Sequence, residues 1–176
     1  GSFVYFKNGR HYTSTRWYSS NDTTMYYIRK GEVLYKRKQS GNGYVLYQGN
    51  GVRWKKVSSM WAPYNKGKTF YYDKNGTSLY RYFNASYSKS KYRNTVWIYD
   101  AGSSGWQQVT DKLLNIHSDY YYIPEDGVIK AEEGWQTIDK KTAVYTDASG
   151  KVSKYIYYDK TGKYSIYREG QKLDQI

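Results

Sequence analysis

Short β-type segments separated by turn residues constrain the fold of this 176-residue chain more than any other feature. Runs rich in Tyr, Val and Ile alternate with period two and are interrupted about every 8–12 residues by Gly, Asn, Asp and Ser. One such stretch leads from Glu32–Lys38 through Tyr44–Gln48 to Val52–Val57, with Gly-containing turns between the segments. We therefore predict an all-β protein with a three-stranded meander here, and a single two-turn helix over Val109–Asn115.

A six-residue turn motif occurs twice and, in a looser form, a third time. Tyr71–Gly76 reads Tyr-Tyr-Asp-Lys-Asn-Gly, Tyr157–Gly162 reads Tyr-Tyr-Asp-Lys-Thr-Gly, and Tyr145–Gly150 keeps the first Tyr, the Asp and the Gly. In each copy the Asp carboxylate can cap the turn, and the Gly three residues later can take a positive φ. The motif predicts Tyr-rich hairpin tips.

A longer internal repeat divides the chain into units. Val45–Val57 aligns without gaps to Trp97–Val109 at an offset of 52 residues, and Gly134–Ile138 is a partial third copy. The repeat predicts tandem small β modules, built either as SH3-like barrels or as twisted antiparallel meanders. The predicted modules are residues 3–60, 61–116 and 117–176. A module of this size has a marginal core by itself, so we expect neighbouring modules to share one.

The charge of the chain is strongly asymmetric. Residues 1–116 hold 19 Lys and Arg against five Asp and Glu, whereas residues 117–176 hold nine against ten. A net charge of +14 on the first two modules favours a polyanionic partner.

Tyr outnumbers Phe by 25 to four, and a ring with a polar tip suits half-buried surfaces that meet water or a polar ligand.

Catalytic and metal-binding groups are scarce in the sequence. The chain has no Cys, which excludes thiolate chemistry, and its histidines are His11 and His117. The acidic pairs Glu125-Asp126 and Glu132-Glu133 stand beside glycines, where adjacent carboxylates are solvated rather than aimed across a cleft. No phosphate loop, zinc helix, calcium loop or transmembrane-length apolar run is present. We therefore expect a protein that is not an enzyme and holds no cofactor or metal.

Basic clusters alternate with aromatic residues in the first two modules, as expected of a site for an anionic saccharide. Aromatic faces stack on sugar rings, and Lys or Arg bind phosphate or carboxylate, Arg through two parallel hydrogen bonds. The candidate ligand-binding residues are Arg16, Trp17, Arg29, Lys30, Tyr35, Arg37, Arg53, Trp54, Lys55, Arg81, Tyr82, Lys91 and Arg93. Trp54 is equally explained as a core residue of the repeat, and Lys56 points away from Arg53 and Lys55 on an alternating strand.

These features resemble the cell-wall-binding modules of Gram-positive surface proteins, in particular the anchoring regions of lactobacillar S-layer proteins. The Tyr157–Gly162 turn, the Gly-Trp-Gln-x-Ile segment at Gly134–Ile138 and the basic, Tyr-rich, cysteine-free composition carry the resemblance. It implies a secreted protein held on the cell wall by teichoic acid, lipoteichoic acid or another wall polysaccharide, and self-association in a surface lattice. Gly134-Trp135 followed by Val144–Gly150 also resembles choline-binding repeats, but the Trp-Tyr-Tyr triplet and regular period of those repeats are missing.

Three other binding functions use the same kinds of residue. A nucleic-acid-binding module would place bases on the rings and phosphates on the cations, although we regard nucleic acid as the less favoured partner. A wall-targeting domain of a phage or autolysin hydrolase would bind the wall in the same way, and an adhesin would bind sulfated host glycosaminoglycans. We expect residues 1–116 to carry most of the binding and added salt to weaken it.

Overall fold

The computed structural model describes residues 1–40, 43–100, 102–103, 105–158 and 160–168. The prediction of an all-β fold is confirmed, because these residues form eighteen strands and one short 3-10 turn at Ser90–Tyr92. The strands make several small antiparallel sheets in tandem. None of the described segments forms a helix with the length and apolar character that a membrane crossing requires.

The first part of the chain forms a two-stranded ribbon and a five-stranded sheet. The ribbon consists of β1 (Phe6–Lys7) and β2 (Arg10–His11). The first sheet consists of β3 (Arg16–Ser19), β4 (Thr24–Arg29), β5 (Glu32–Ser40), β6 (Gly43–Gly49) and β7 (Trp54–Lys56). Neighbours in this sheet are neighbours in the chain, so the predicted meander is confirmed as β5, β6 and β7. Gly41 and Asn42, in the predicted turn after β5, lie outside the described residues.

The second sheet repeats this arrangement. It consists of β8 (Met60–Asn65), β9 (Lys68–Tyr72), β10 (Ser78–Phe83), β11 (Thr95–Asp100) and β12 (Gly105–Gln108), again in chain order. The sequence repeat therefore corresponds to the last two strands of each sheet. The pairing differs in register, because Trp54 pairs with Gly49 whereas the equivalent Trp106 pairs with Tyr99.

A hairpin and a four-stranded sheet complete the described chain. The hairpin is β13 (Lys112–Ile116) with β14 (Asp119–Ile123), and the last sheet is β15 (Gly134–Thr137), β16 (Thr142–Thr146), β17 (Val152–Tyr158) and β18 (Tyr164–Arg168). The predicted boundary between residues 116 and 117 falls inside the turn of this hairpin. The division into three modules stays a prediction.

The predicted helix over Val109–Asn115 is wrong, because the segment enters strand β13. Two adjacent leucines explain the difference. Leu114 packs against the cluster that contains Val96, whereas Leu113 packs against the cluster that contains Val144. Neighbouring residues of a strand point to opposite faces, so an extended segment serves two cores at once.

The hydrophobic clusters lie between successive sheets. The cluster between the first and second sheets contains Leu46, Val57, Ala62 and Tyr72. The next contains Val96, Val109, Ile116, Ile123 and Ile129, and the third contains Tyr122, Val144 and Tyr155. Each cluster draws residues from two sheets or from a sheet and the hairpin, which agrees with the expectation that small neighbouring units share a core.

The predicted turn motif forms hairpin tips with an aspartate cap. Asp73 accepts hydrogen bonds from two backbone N–H groups of its own turn at 2.8 and 2.9 Å, and Gly76 has φ 76°. Asp147 does the same at 2.8 and 3.0 Å, and Gly150 has φ 82°. The prediction is confirmed for these two copies. In the remaining copy, Asp159 lies outside the described residues.

Candidate anion-binding cleft

A cleft of about 390 Å³ lies between the first and second sheets. Three cationic side chains and a set of aromatic rings line it, and we call it the cationic cleft. The cations are Arg37, Lys68 and Arg81, and the rings are those of Tyr44, Tyr64, Phe70, Tyr72, Tyr99 and Trp106. Ser40, Thr77 and Ser78 add hydroxyl groups to the lining.

The strand order and the period of two bring these cations together. Arg37 belongs to β5, the central strand of the first sheet, and Arg81 belongs to β10, the central strand of the second. Lys68 is the first residue of β9, and its side chain lies on the same face of the strand as that of Phe70. Phe70 in turn pairs with Arg81 on the neighbouring strand β10. The central strands of neighbouring sheets thus direct their cations into one space.

The three cations alternate with two shared aromatic rings. The Cζ of Arg37 and the Nζ of Lys68 each lie 4.6 Å from the ring centroid of Tyr64. The same Nζ lies 5.2 Å from the Phe83 centroid, and the Cζ of Arg81 lies 5.4 Å from it. The electron-rich faces attract each cation, and this attraction offsets part of the repulsion between the three charges. We call this arrangement the cation–ring ladder.

Arg37 is buried with only weak partners. Its side chain is 7% exposed, and its Nη2 and Nε lie 2.7 and 3.3 Å from the sulfur of Met25. A thioether is a weak acceptor. The guanidinium also contacts the rings of Trp17 at 5.0 Å and Tyr44 at 4.6 Å. Buried charges in proteins are normally paired, but no carboxylate among the described residues forms an ion pair with this guanidinium.

Two buried N–H groups beside the cleft have no hydrogen-bond partner in the described structure. They are the Nε of Arg81 and the indole Nε1 of Trp17. The Cζ of Arg81 lies 4.5 Å from the centroid of Trp106, so a ring rather than an oxygen covers it. Buried donors are rarely left unpaired. Arg81 lines the cleft, so its Nε could donate to an acceptor held there.

The pKa of Lys68 is lowered because its ammonium group is buried and has other cations around it. Burial, followed by repulsion from Arg81, Arg37 and Lys89, lowers this pKa to about 8. Among the described residues the ion pairs are Lys130 with Asp126 and the pair Lys151–Asp119, both outside the cleft. An anion in the cleft would favour the charged ammonium and raise the pKa of Lys68 again.

Three of the predicted site residues lie at the cationic cleft. Arg37 and Arg81 line it, and Trp17 borders it through its contact with Arg37. Seven other predicted residues are exposed and do not line the cleft. These are Arg16, Arg29, Lys30, Arg53, Lys55, Lys91 and Arg93.

The remaining predicted residues pack within the protein. Tyr35 packs against the cluster that contains Leu46. Tyr82 packs against the next cluster, where burial raises its pKa to about 12. Trp54 stacks on Phe3 with the ring centroids 4.7 Å apart. This contact agrees with the packing alternative for Trp54, and its ligand-binding role stays a prediction.

Neither Lys68 nor any of the six rings that line the cationic cleft was among the predicted site residues. Lys68, Phe70 and Tyr72 alternate along β9, and this alternation was the available signal that they share a face. No sequence feature placed that face opposite Arg37. The meeting depends on how the two sheets pack, which a local pattern does not specify.

Comparison with known proteins gives only distant likeness. No family model matches the chain, and no curated protein matches it. Similar solved structures include alternansucrase in complex with isomaltotriose, with 20% identity, a TM-score of 0.39, and coverage of 87% of this chain and 10% of that one.

Two wall-related proteins from pneumococcal systems are also similar. The pneumococcal cell wall endolysin from phage Cp-1, complexed with choline, has 16% identity, a TM-score of 0.24, and coverage of 78% and 32% of the two chains. The modular autolysin LytC from Streptococcus pneumoniae has 13% identity, a TM-score of 0.22, and coverage of 93% and 50%. The chain thus spans at most half the length of these three proteins, and TM-scores this low transfer no ligand or activity to it.

Proposed function

We propose that this protein binds a phosphate-bearing glycopolymer of the bacterial cell wall, such as teichoic or lipoteichoic acid. Through this binding it anchors a secreted surface protein, as in an S-layer, without a covalent bond and without catalysis. The cationic cleft carries the proposal, because Arg37, Lys68 and Arg81 converge there and none of them pairs with a described carboxylate. A phosphodiester supplies the negative charge and the acceptor oxygens that these groups lack.

The charge of the wider surface supports a polymeric rather than a small ligand. Residues 1–116 carry a net charge of +14, which attracts a polyanion at long range. Exposed contacts such as those of Arg29 and Arg53 are worth only about 0.2–1 kcal/mol each. A polymer makes many such contacts at once, so weak outer contacts add to the binding in the cleft.

Nucleic acid is a poorer match for the cleft than a saccharide phosphate. Binding of single strands relies on bases that stack on free aromatic faces. Tyr64 and Trp106 in the cleft, and Trp17 at its border, each have a cation within 5.0 Å of the ring centroid. These faces are already covered.

A hydrolase attached to this chain would leave the same site unchanged, so a wall-targeting domain uses the same chemistry.

Binding of purified lipoteichoic acid at increasing NaCl concentration tests the proposal. We expect binding at about 0.15 M salt, where the screening length is about 8 Å, and its loss near 1 M, where that length is about 3 Å. Heparin and a single-stranded oligonucleotide serve as competitors of similar charge. Undiminished binding near 1 M salt would contradict an electrostatic anchor, and stronger competition by either competitor would assign the cleft to sulfate or to nucleic acid.

A further inference from the structure

A second cavity, of about 730 Å³, lies between the second sheet and the β13–β14 hairpin. Trp61 pairs with Tyr71 and Tyr71 with Tyr80 across β8, β9 and β10. Tyr71 alternates with Phe70, which lines the cationic cleft, so the two cavities lie on opposite faces of the same sheet. The described lining contains no Lys, Arg, Asp or Glu. We call it the neutral cavity.

A row of four rings runs along the neutral cavity. The centroids of Tyr80 and Tyr71 lie 6.1 Å apart, and those of Tyr71 and Trp61 lie 5.6 Å apart. The imidazole of His117 continues the row 5.6 Å from the Trp61 centroid. The first three side chains are half-buried and His117 is exposed. Neighbouring ring planes are tilted by 38–56°, so the row offers individual ring faces on which the apolar face of a ligand can stack.

Polar side chains surround these rings at the ends of two turns. Ser59, His117 and Ser118 line the cavity with φ values of 52°, 54° and 74°. The N–H of Ser118 donates to the side-chain oxygen of Asn115, a fourth polar lining residue, at 3.2 Å. The positive φ of His117 and Ser118 is that of a two-residue hairpin turn between Ile116 and Asp119, and this turn places both residues at the cavity.

His117 adds a hydrogen-bonding ring to the rim of the cavity. The residue as a whole is exposed, but its ring lies beside Trp61, and partial burial lowers the pKa of the imidazole while Asp119 acts in the opposite direction. A neutral imidazole provides one donor and one acceptor. Its Nε2 lies 3.3 Å from the hydroxyl oxygen of Thr69. The described lining itself holds no charged side chain, and Lys112 stands at its edge with its Nζ 3.2 Å from the hydroxyl of Tyr80.

We propose that the neutral cavity is a second binding site, which takes an uncharged pyranose ring stacked on the Trp61–Tyr71 surface. The apolar face of such a ring matches the aromatic row, and its hydroxyls match the serine, asparagine and histidine groups at the rim. A charged ligand would be poorly compensated here. A quaternary ammonium group would stack on the rings but leave the four polar rim groups unused.

This second site does not depend on the function proposed for the cationic cleft. Each cavity lies on its own face of the second sheet, and the two recognise different chemistry. If both sites are occupied, one glycopolymer contributes phosphate to the first and neutral sugar to the second.

Titration of the full chain with neutral oligosaccharides, followed by NMR, tests this inference. Maltotetraose and chitotetraose are the probes, and choline chloride and glycerol 1-phosphate are the comparison ligands. We expect at least one tetrasaccharide to shift the Trp61 indole and His117 imidazole signals in a saturable way, with no such shift from either comparison ligand. Absence of these shifts with both tetrasaccharides, or shifts with choline alone, would overturn the proposal.

A glycine substitution removes rim hydroxyls without disturbing the backbone. Glycine adopts positive φ readily, so Ser59→Gly together with Ser118→Gly deletes two hydroxyls and keeps the fold. We expect saccharide affinity to fall about tenfold, or about 1.4 kcal/mol, with lipoteichoic acid binding retained in the cleft. Asn8→Gly is the matched control, because Asn8 is exposed with φ 51° in the β1–β2 turn. Equal saccharide affinity in the double variant and the control would overturn the assignment.

Discussion

Arg37 and Lys68 contact the same aromatic ring, each with its charged group 4.6 Å from the centroid of Tyr64. The two cations come from different sheets, Arg37 from β5 and Lys68 from β9. Packing of the sheets therefore creates the cleft and also forces like charges together. Proteins place such unfavourable arrangements at functional sites, where a ligand relieves them.

Removal of the arginine charges should weaken polymer binding and leave the fold intact. Arg37→Met combined with Arg81→Met keeps apolar stems in the cleft but removes two guanidinium groups. Hydrogen bonds to charged groups are worth about 1.5–3 kcal/mol, so we expect lipoteichoic acid affinity to fall about 100-fold or more by calorimetry.

The matched control for this pair is Arg29→Met with Arg53→Met, which removes the same net charge from exposed positions. We expect the control to weaken binding by only about 2- to 30-fold, because the two exposed contacts contribute about 0.2–1 kcal/mol each. Equal losses in the two double variants would show that net charge, and not the cleft, determines binding.

The stability of the free protein should rise with pH above about 8, because of Lys68. Its pKa is about 8 in the folded chain and about 10.4 when unfolded. Between these values the unfolded chain holds the extra proton, so the free energy of unfolding increases with pH. Chemical denaturation at pH 7.5 and pH 9.5 measures this, below the range in which buried tyrosines such as Tyr72, whose pKa is raised, oppose it.

Lys68→Met should abolish this increase and stabilise the protein most at the lower pH, where the wild-type ammonium is charged and repelled. Lys55→Met, at an exposed position on β7, is the control and should retain the wild-type pH dependence. A wild-type profile in the Lys68 variant would assign the effect to another group.

Occupation of the cleft should be coupled to uptake of a proton near pH 8. A bound phosphate raises the pKa of Lys68 from about 8, so a partly neutral amine becomes protonated as the anion binds. Calorimetry of lipoteichoic acid binding at pH 8.5 in buffers of different ionisation enthalpy measures the number of protons taken up. We expect a positive fraction of a proton for the wild type and none for Lys68→Met. Equal uptake by both proteins would place the anion elsewhere.

The two turn glycines Gly76 and Gly162 should differ in their tolerance of alanine. Both have positive φ, of 76° and 80°. A Cβ at Gly76 would lie 2.9 Å from the carbonyl oxygen of Val57, whereas one at Gly162 meets nothing within 4 Å. Conformational cost alone is about 1–2 kcal/mol, so we expect roughly that loss for Gly162→Ala and at least 1 kcal/mol more for Gly76→Ala in denaturant unfolding. Equal losses would show that the contact with Val57 is relieved at no cost.

Local patterns predicted most of the fold. Period-two alternation marked β5 to β7, and the Asp-x-x-Gly spacing marked the tip at Asp73. The same alternation was overlooked at Leu113 and Leu114, because two adjacent leucines among helix formers resemble a helix when the second core is unknown. Local sequence describes one element at a time, so a residue that serves two layers is easily misassigned.

The sites were harder to predict, because each forms between elements that are distant in sequence. Arg37 and Arg81 were chosen for their charge, but Lys68 was not, and only the packing of β9 against the first sheet brings it to them. His117 was considered as a catalytic group and rejected, whereas its position beside Trp61 emerges only when the hairpin covers the second sheet. The residue types indicated that cations and aromatic rings would form the site. They did not indicate which of these residues the fold would bring together.

The cluster of Leu46, Val57, Ala62 and Tyr72 belongs to two sheets at once. Neither sheet is therefore a finished domain, and a cut between β7 and β8 would leave both fragments with apolar surface in water. Adding one repeat to such a protein would add a new interface between neighbouring sheets as well as new strands. Both cavities lie at such interfaces, so each added repeat would bring one more candidate cavity between neighbouring units.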